Sequence, residues 1–525
     1  MHEYTIGALL ERACRSYAPR IAVVDGDCRI TYSELISTVR KNGRALLATG
    51  LRPGDRVALL MPDRPELLFA YYGALWAGLA VVPLNARLGA EDQEYILTDS
   101  GAKAVVHDRA YAERLAGILS NGVGKTQIEH RLGVDEDAIL DGGSPLGLLA
   151  DKESDAAEVP AVAPDDLFGI YYTGGTTGRP KGVAHTHRTF ISALLSELLE
   201  LGLGEADVFA HCAPLTHASG GFVLPVWMRG GTNVVLGGFD ADKLLKAIET
   251  EKVTATLLVP TMIYVLLDHP ATAAADLSSL KTIVYGAAPM GTERLIEGLE
   301  RFGPIFAQLY GQTEAPNQLT VLTKDDHAEA LRTKELDPLS SCGRPVLIAD
   351  VRLLDDDLNE VPPGEPGEIC ARGPHVMTGY WNRPEETAAT LRDGWLCTGD
   401  IATADERGFL YIVDRKKDMI ISGGYNVYPK EVEAALFTHP AVRDVAVIGV
   451  PDEKWGESVK AVVVADPDVA VTAEDLIAWV KERKGSVNCP KTVDFVEAIP
   501  LTAVGKHDKP TLRKQYWGGR TRAVN

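Results

Sequence analysis

Cysteine is scarce and dispersed in this chain. Its seven cysteines lie at 14, 28, 212, 342, 370, 397 and 489, with no CxxC pair among them. An odd, scattered set supports neither a disulfide framework nor a zinc ribbon, and it points to a reduced, cytoplasmic setting. Long apolar runs are missing too. Stretches such as GALWAGLAVVP (73–83) reach only about half a membrane span, so no transmembrane segment is expected. The opening residues, MHEYTIGALLERACRSYAPR, show no basic stretch followed by an apolar one, which argues against a signal peptide. Ile6, Leu9, Leu10, Ala13 and Tyr17 fall instead at helical spacing. Positive charge is in deficit. With 53 basic against 73 acidic residues the formal charge is −20, which disfavours binding to nucleic acid or an anionic membrane.

What remains is ordinary globular composition over 525 residues, enough for several compact units at roughly 100–200 residues each. Thr31 and Glu34 fit a capping box that opens a helix through about Ala48. The turn GLRPGD (50–55), the apolar strand VALLM (57–61), an apolar helix and AVVPL (80–84) come next. Such alternation marks an α/β domain with a mostly parallel sheet. Residues 121–165 are rich in Gly, Asp, Glu and Pro and read as a surface excursion or linker. Their GVGKT (122–126) is no Walker loop, because Leu119 occupies the position of its first glycine. Alternation resumes over 166–414, with strands in TLLVP (256–260) and KTIVYG (281–286), and PPGEPGEICARG (362–373) reads as a β-rich insert. After about 418 a smaller α+β unit is expected, with a helix near 429–437, strands at 444–450 and 458–466, and a helix from Thr472 capped with Asp475. The expected division is therefore a large N-terminal domain over 1–414, a hinge at 415–417 and a mobile C-terminal lid over 418–525.

The segment GIYYTGGTTGRPKGVAHTH (169–187) is the most informative. Thr173, Gly174, Gly175, Thr176, Thr177 and Gly178 offer backbone N–H groups and hydroxyls to an anion, with Lys181 beyond Pro180. Pro180 breaks the Walker order. The residues alone leave a polyphosphate cradle and a plain Gly/Thr-rich hairpin equally open. His185 and His187 stand at i,i+2, a spacing that suits a strand metal site, but no acidic or cysteine partner is near in sequence.

This segment resembles the phosphate loop of the adenylate-forming superfamily, which takes in acyl- and aryl-CoA synthetases, luciferases and peptide-synthetase adenylation domains. The resemblance recurs in order along almost the whole chain: APLTHASGG (213–221), YGAAP (285–289), YGQTE (310–314), WLCTGD (395–400), DRKKDMIISGGYNVYPKEVE (414–433) and IPLTAVGK (499–506). Gly174 departs from the serine that many members carry.

The resemblance implies two half-reactions, in which ATP and an acid give an acyl-adenylate and pyrophosphate, and a thiol then attacks the acyl carbon. It assigns Lys506 as the mobile cation between substrate carboxylate and α-phosphate. Glu314, beside Thr313, would hold Mg²⁺. Asp400 would accept the ribose hydroxyls with Arg415 next to it. Gly286, Ala287, Ala288, Tyr310 and Gly311 would receive adenine. His217 would line the acyl or thiol channel. Lys417 falls at the hinge, and Ser422, Gly423 and Gly424 would leave room for the pantetheine arm of CoA. Loss of Lys506, Glu314 or Asp400 would mark a degenerate binding protein, and all three are present.

Within the superfamily the motifs favour a CoA ligase. No acidic residue occurs in FAHCAPLTHASG (209–220), which argues against a free amino acid as substrate. No insertion interrupts 415–433, and PDEKWGE (451–457) resembles the CoA-synthetase branch. The alternative acceptor is a free-standing acyl carrier protein. Ala218, Ser219 and the residues to Val223 suggest a roomy, mostly apolar pocket, bounded by Tyr285 and by Gln312 or Pro316. That fits a medium-chain, aryl or alicyclic carboxylic acid better than acetate.

Overall fold

Thr31 accepts a hydrogen bond from the Glu34 N–H, and the Glu34 carboxylate accepts one from the Thr31 N–H, so the expected capping box opens helix Tyr32–Ala48. The same device starts helix Ala473–Asn488, where Thr472 and Asp475 cap each other. The computed structural model describes residues 4–121, 126–135, 139–156, 161–173, 179–422, 425–452, 455–501 and 507–517. Two compact units emerge. Of the described residues, the first holds those within 4–173, 179–351 and 371–396; the second holds those within 352–370 and 397–517.

The first unit contains two large sheets. The eight-stranded one runs in the order Gly379–Tyr380, Lys181–Thr186, Leu167–Thr173, Ala80–Pro83, Arg56–Leu60, Ala104–His107, His130–Gly133, Ser144–Pro145. From Leu167–Thr173 onward its strands are parallel. Its inner strands are buried along nearly their whole length, as parallel strands covered on both faces must be. The nine-stranded sheet places Phe306–Gln312, Thr282–Gly286, Ala255–Leu258, Val208–His211, Thr232–Val235 and Ile21–Asp25 side by side and parallel. Ala315–Leu322 turns back antiparallel beside Phe306–Gln312. The α/β class is as expected. One local reading is corrected: within 121–165, His130–Gly133 joins the sheet, with Leu132 and Gly133 buried. Only two of its four residues are buried, so no apolar run announced it.

Gly367–Arg372 lies beside Trp395–Ala404, which pairs antiparallel with Leu410–Arg415; residues 367–370 and 397–415 of these strands belong to the second unit. Val442–Asp452 and Gly456–Ala465 form a long antiparallel pair, joined by Ile420–Ser422 and Thr492–Phe495. Helices Pro429–Phe437 and Ala473–Asn488 cover it and share a core with Val445, Val447, Val459 and Val463. The 415–417 segment expected as a hinge lies inside this unit. On either side of it, caps and ion pairs reach toward the C-terminus: the buried Asp414 accepts from the Lys430 N–H, and Asp418 pairs with Arg513 at 2.6 Å.

Candidate active site

In the first unit the candidate residues sit at the carboxyl ends of parallel strands, where open α/β sheets place their ligands. Leu167–Thr173 and Lys181–Thr186 are antiparallel neighbours, with Thr173 opposite Lys181. The expected phosphate loop therefore springs from the mouth of a hairpin; Gly174, Gly175, Thr176, Thr177 and Gly178 themselves lie outside the described residues.

The Thr313–Glu314 pair forms the turn between Phe306–Gln312 and Ala315–Leu322. Three contacts fix it. His185 donates through Nε2 to the Thr313 carbonyl at 2.8 Å. The Met377 N–H donates to the Glu314 carbonyl at 2.8 Å, and the Tyr380 hydroxyl donates to Glu314 Oε1 at 2.7 Å. The Lys181 ammonium stands 4.9 Å from the centre of the Tyr380 ring. Tyr380 thus joins the flank of the phosphate loop to the Thr-Glu turn. Sequence reasoning missed it, because its partners lie far away in the chain. The only available signal was its place in GYW (379–381), and that run carries no distinctive chemistry.

Burial pushes His185 down to about 4, so its imidazole is a neutral strut beneath Thr313. His187 is held likewise near 4, and its Nδ1 accepts the Ile6 N–H that starts the first helix. The two histidines serve different elements and share no site.

Gly286 ends its strand against the neighbouring one: a Cβ there would stand 2.3 Å from the Leu309 carbonyl oxygen. Ala287 follows at φ +62°, a left-handed backbone that non-glycine residues seldom adopt away from functional loops. Ala288 continues that loop, and Tyr310 and Gly311 are half-buried on the adjacent strand. His217 is open to solvent on one side, yet protein around it pushes its imidazole down by desolvation, with the Arg87 charge second. Its Nδ1 faces the Thr216 hydroxyl at 3.0 Å.

Two residues expected at the acyl pocket are buried. Tyr285 is 1 % exposed, its ring packs on Phe306 and its hydroxyl meets His327 Nε2 at 2.9 Å. Ser219 is equally buried, its hydroxyl 2.9 Å from His211 Nδ1. Both side chains are committed to the interior. Gln312 and Pro316 are half-buried at the turn, and Ala218 lends its carbonyl to the Asn317 amide at 3.4 Å. A narrow apolar crevice, lined in part by Leu68, Tyr71, Tyr72, Leu215 and Gly220, runs beside the 213–221 loop. Behind that loop lies a polar floor the composition did not suggest. Glu197, fully buried on helix His187–Leu201, accepts from the Asn317 side chain, and burial raises its carboxyl to about 8. A Cβ on Gly221 would stand 2.3 Å from the Asn317 amide nitrogen.

The second unit holds the other candidate residues. Asp400 is 4 % exposed and sits opposite Arg415 across the strand pair, with Arg415 Nε 2.6 Å from its Oδ1. The adjacent Gly399 N–H donates to Glu368 at 2.8 Å, and Lys416 bridges Glu368 and Asp356 at 2.8 and 2.6 Å. Lys417 is pushed down chiefly by burial. Ser422 is buried at a strand end; Gly423, Gly424 and Lys506 lie outside the described residues. The positions flanking 502–506 are pinned. Leu501 and His507 bridge antiparallel, the Asp508 N–H donates to the Pro500 carbonyl at 2.7 Å, and His507 meets Asp444 at 3.0 Å. Lys509 pairs with Glu433 at 2.7 Å.

The AMP-binding enzyme family model matches residues 10–381, and the AMP-binding enzyme C-terminal domain matches 431–506. The chain belongs to this family, and it is an adenylate-forming acyl-CoA ligase. It is 42% identical to a medium/long-chain-fatty-acid–CoA ligase, FadD8, of Mycobacterium tuberculosis, over 99% of this chain and 91% of that one. It is 39% identical to a feruloyl-CoA synthase of an Amycolatopsis species, over 98% of this chain and all of the other. Among solved structures, a Mycobacterium tuberculosis fatty acyl CoA synthetase matches with TM-score 0.80 and 34% identity, covering 98% of this chain and 99% of that one. Among the described residues no helix is long and apolar enough to cross a membrane.

Proposed function

We propose that the protein activates a medium-chain, aryl or alicyclic carboxylic acid with ATP and Mg²⁺, then passes the acyl group to the thiol of CoA, releasing AMP and pyrophosphate. The observation that carries this reading is the Lys181–Tyr380–Glu314 arrangement, which brings a cation beside the phosphate-loop hairpin to within one aromatic ring of an oriented, buried carboxylate. A carboxylate of fixed orientation, with its partner a neutral phenol, fits the hard-oxygen preference of Mg²⁺. A bound Mg²⁺ would supply charge neutralisation at the phosphates.

The attacking group is a carboxylate whose solution pKa is about 4–5, already ionised at neutral pH, so no general base is needed. The neutral His185 agrees with that: it positions Thr313 and takes no proton. The obstacle is repulsion, about 4 kcal/mol for two unit charges 4 Å apart at an effective dielectric near 20. Lys181 and Lys506 are the cations proposed to offset it. Asp400, paired with Arg415, is the proposed acceptor for the ribose hydroxyls.

Lys417 is the proposed pivot between adenylate and thioester formation, with residues 418–525 as the moving lid. Supporting it, Asp418–Arg513 and Glu433–Lys509 tie the helix after Lys506 to the segments after Lys417, so that rotation at 417 carries Lys506 along. Lys417→Pro should spare pyrophosphate release and cripple thioester formation; equal loss in both would count against the pivot. The seven cysteines form no disulfide, which supports a cytoplasmic location.

The deciding experiment is pyrophosphate release across a panel of carboxylic acids, with and without CoA, with the thioester detected by mass. Acid-dependent release with a CoA thioester supports the reading and names the acid. Release without thioester, relieved by a phosphopantetheinyl carrier protein, would replace CoA by that carrier.

A further inference from the structure

Two cysteines that stand 27 residues apart in sequence meet across neighbouring strands of the second unit. The Cys370 and Cys397 sulfurs are 3.5 Å apart. Glu368 lies two residues before Cys370, hence on the same strand face, and its carboxylate and the two sulfurs all lie within 4.8 Å of one another. Glu368 and Cys370 are buried and Cys397 is half-buried.

We propose that Glu368, Cys370 and Cys397 form a binding site for a soft divalent cation of the zinc class, distinct from the Mg²⁺ proposed at Glu314. Spacing favours a shared cation over a disulfide. Tetrahedral zinc with bonds of about 2.3 Å sets two thiolate sulfurs roughly 3.8 Å apart. A disulfide needs about 2.05 Å, so the sulfurs would have to close by roughly 1.5 Å. Charge is largely offset as well. Two thiolates and a carboxylate carry three negative charges, a divalent cation cancels two, and Lys416, shared between Glu368 at 2.8 Å and Asp356 at 2.6 Å, offsets part of the last. Through Asp356, Lys416 keeps a partner when the Glu368 oxygen turns to metal. The other Glu368 oxygen accepts from the Gly399 N–H, the outer contact that orients a ligating carboxylate. As the two metal–sulfur bonds form, two thiol protons leave to solvent. The thiolates select against the Mg²⁺ that accompanies ATP.

The test uses the full chain, reduced with a phosphine and titrated with Co²⁺. A thiolate-to-cobalt charge-transfer band saturating near one equivalent, bleached by Zn²⁺ but not by excess Mg²⁺, is expected. Cys397→Ser should abolish the band, and Glu368→Gln should weaken Co²⁺ binding by roughly 10–100-fold. Cys28→Ser, at an exposed cysteine remote from the cluster in sequence, should leave it unchanged. Zn²⁺ should also shield Cys397 from maleimide alkylation in the unmodified chain, a readout that needs no variant to fold. Absence of the band, its survival in Cys397→Ser, or Co²⁺ bound without it would overturn the proposal.

Discussion

Glu197 in the first unit and Asp400 in the second are both buried carboxyls beside candidate substrate loops, and their surroundings differ in kind. Glu197 meets an amide, Asn317, and burial raises its carboxyl to about 8, so at neutral pH it is held mostly as the uncharged acid. Asp400 lies 2.6 Å from a guanidinium. The contrast extends to their neighbours. His185, His187 and His211 in the first unit are neutral through burial, whereas Asp400, Glu368, Asp418 and Glu433 in the second each face an arginine or lysine. Neutral buried groups make a fixed scaffold that adds no charge where a polyphosphate must lie. Paired charges can exchange partners, which suits a segment proposed to rotate.

The sharpest way to break this comparison is to remove the one first-unit carboxylate read as charged in function. Glu314→Gln keeps the shape and the Tyr380 contact but loses the charge. Acid-dependent pyrophosphate release should fall by about 10²–10³, the loss typical of a preorganised charge-stabilising group. A loss under about tenfold would return Glu314 to the neutral scaffold.

pH tests the scaffold itself. The Glu197 carboxyl is raised from an ordinary 4.5 to about 8. Between those values the folded chain keeps a proton that the unfolded chain has released, so stability falls as pH rises and levels off above about 8. The slope from this one group is at most about 1.4 kcal/mol per pH unit. Between pH 6.5 and 8, above the range of the buried histidines, Glu197→Gln should flatten urea-unfolding stability; a variant that tracks the parent would show that Glu197 does not titrate there. His185, His187, His211, His327 and His375, each lowered from 6.5 to about 4, act oppositely. Their stabilisation is complete above 6.5 and is lost as pH falls toward 4.

Tyr380 gives a smaller effect. Tyr380→Phe removes only the hydroxyl that orients Glu314, a hydrogen bond to charge worth roughly 1.5–3 kcal/mol, and pyrophosphate release should drop at least about tenfold. The ring beside Lys181 stays. A normal rate would show that Met377 and His185 suffice to place the turn.

What the sequence carried and what it hid divide along the same physical line. The Gly/Thr segment, the Thr-Glu pair and WLCTGD were legible through the family resemblance, because each keeps its motif within a few consecutive residues. Capping boxes at Thr31 and Thr472 and the alternation of strands and helices were equally local. Tyr380, the Glu197–Asn317 pair and the Cys370–Cys397 pair could not be read, because sheet pairing and helix packing bring them together from distant segments. Seven scattered cysteines spoke against a metal ribbon, and that holds for spacing; two neighbouring strands then place two of them 3.5 Å apart. The burial of Tyr285 and Ser219 was hidden for a related reason: a motif names the residue, but the alternation of faces along a strand or a short helical turn decides how deeply its side chain sits.

The smallest effect concerns the paired side of the comparison. The Arg415 side chain is 44% exposed, so water screens it, while the Asp400 side chain is 5% exposed. Arg415→Ala should lower stability by only about 1 kcal/mol, because solvent can reach the vacated place. Its mark should instead be a raised KM for ATP with adenylation kcat nearly kept, since Asp400 stays but is less well oriented. Asp400→Asn retains size and removes the charge, leaving Arg415 to turn toward solvent; it should raise the same KM further. If Arg415→Ala cost more stability than Glu197→Gln at pH 7, the ion pair would be a structural clamp. The second unit would then resemble the first, rigid through its buried groups rather than free to exchange them.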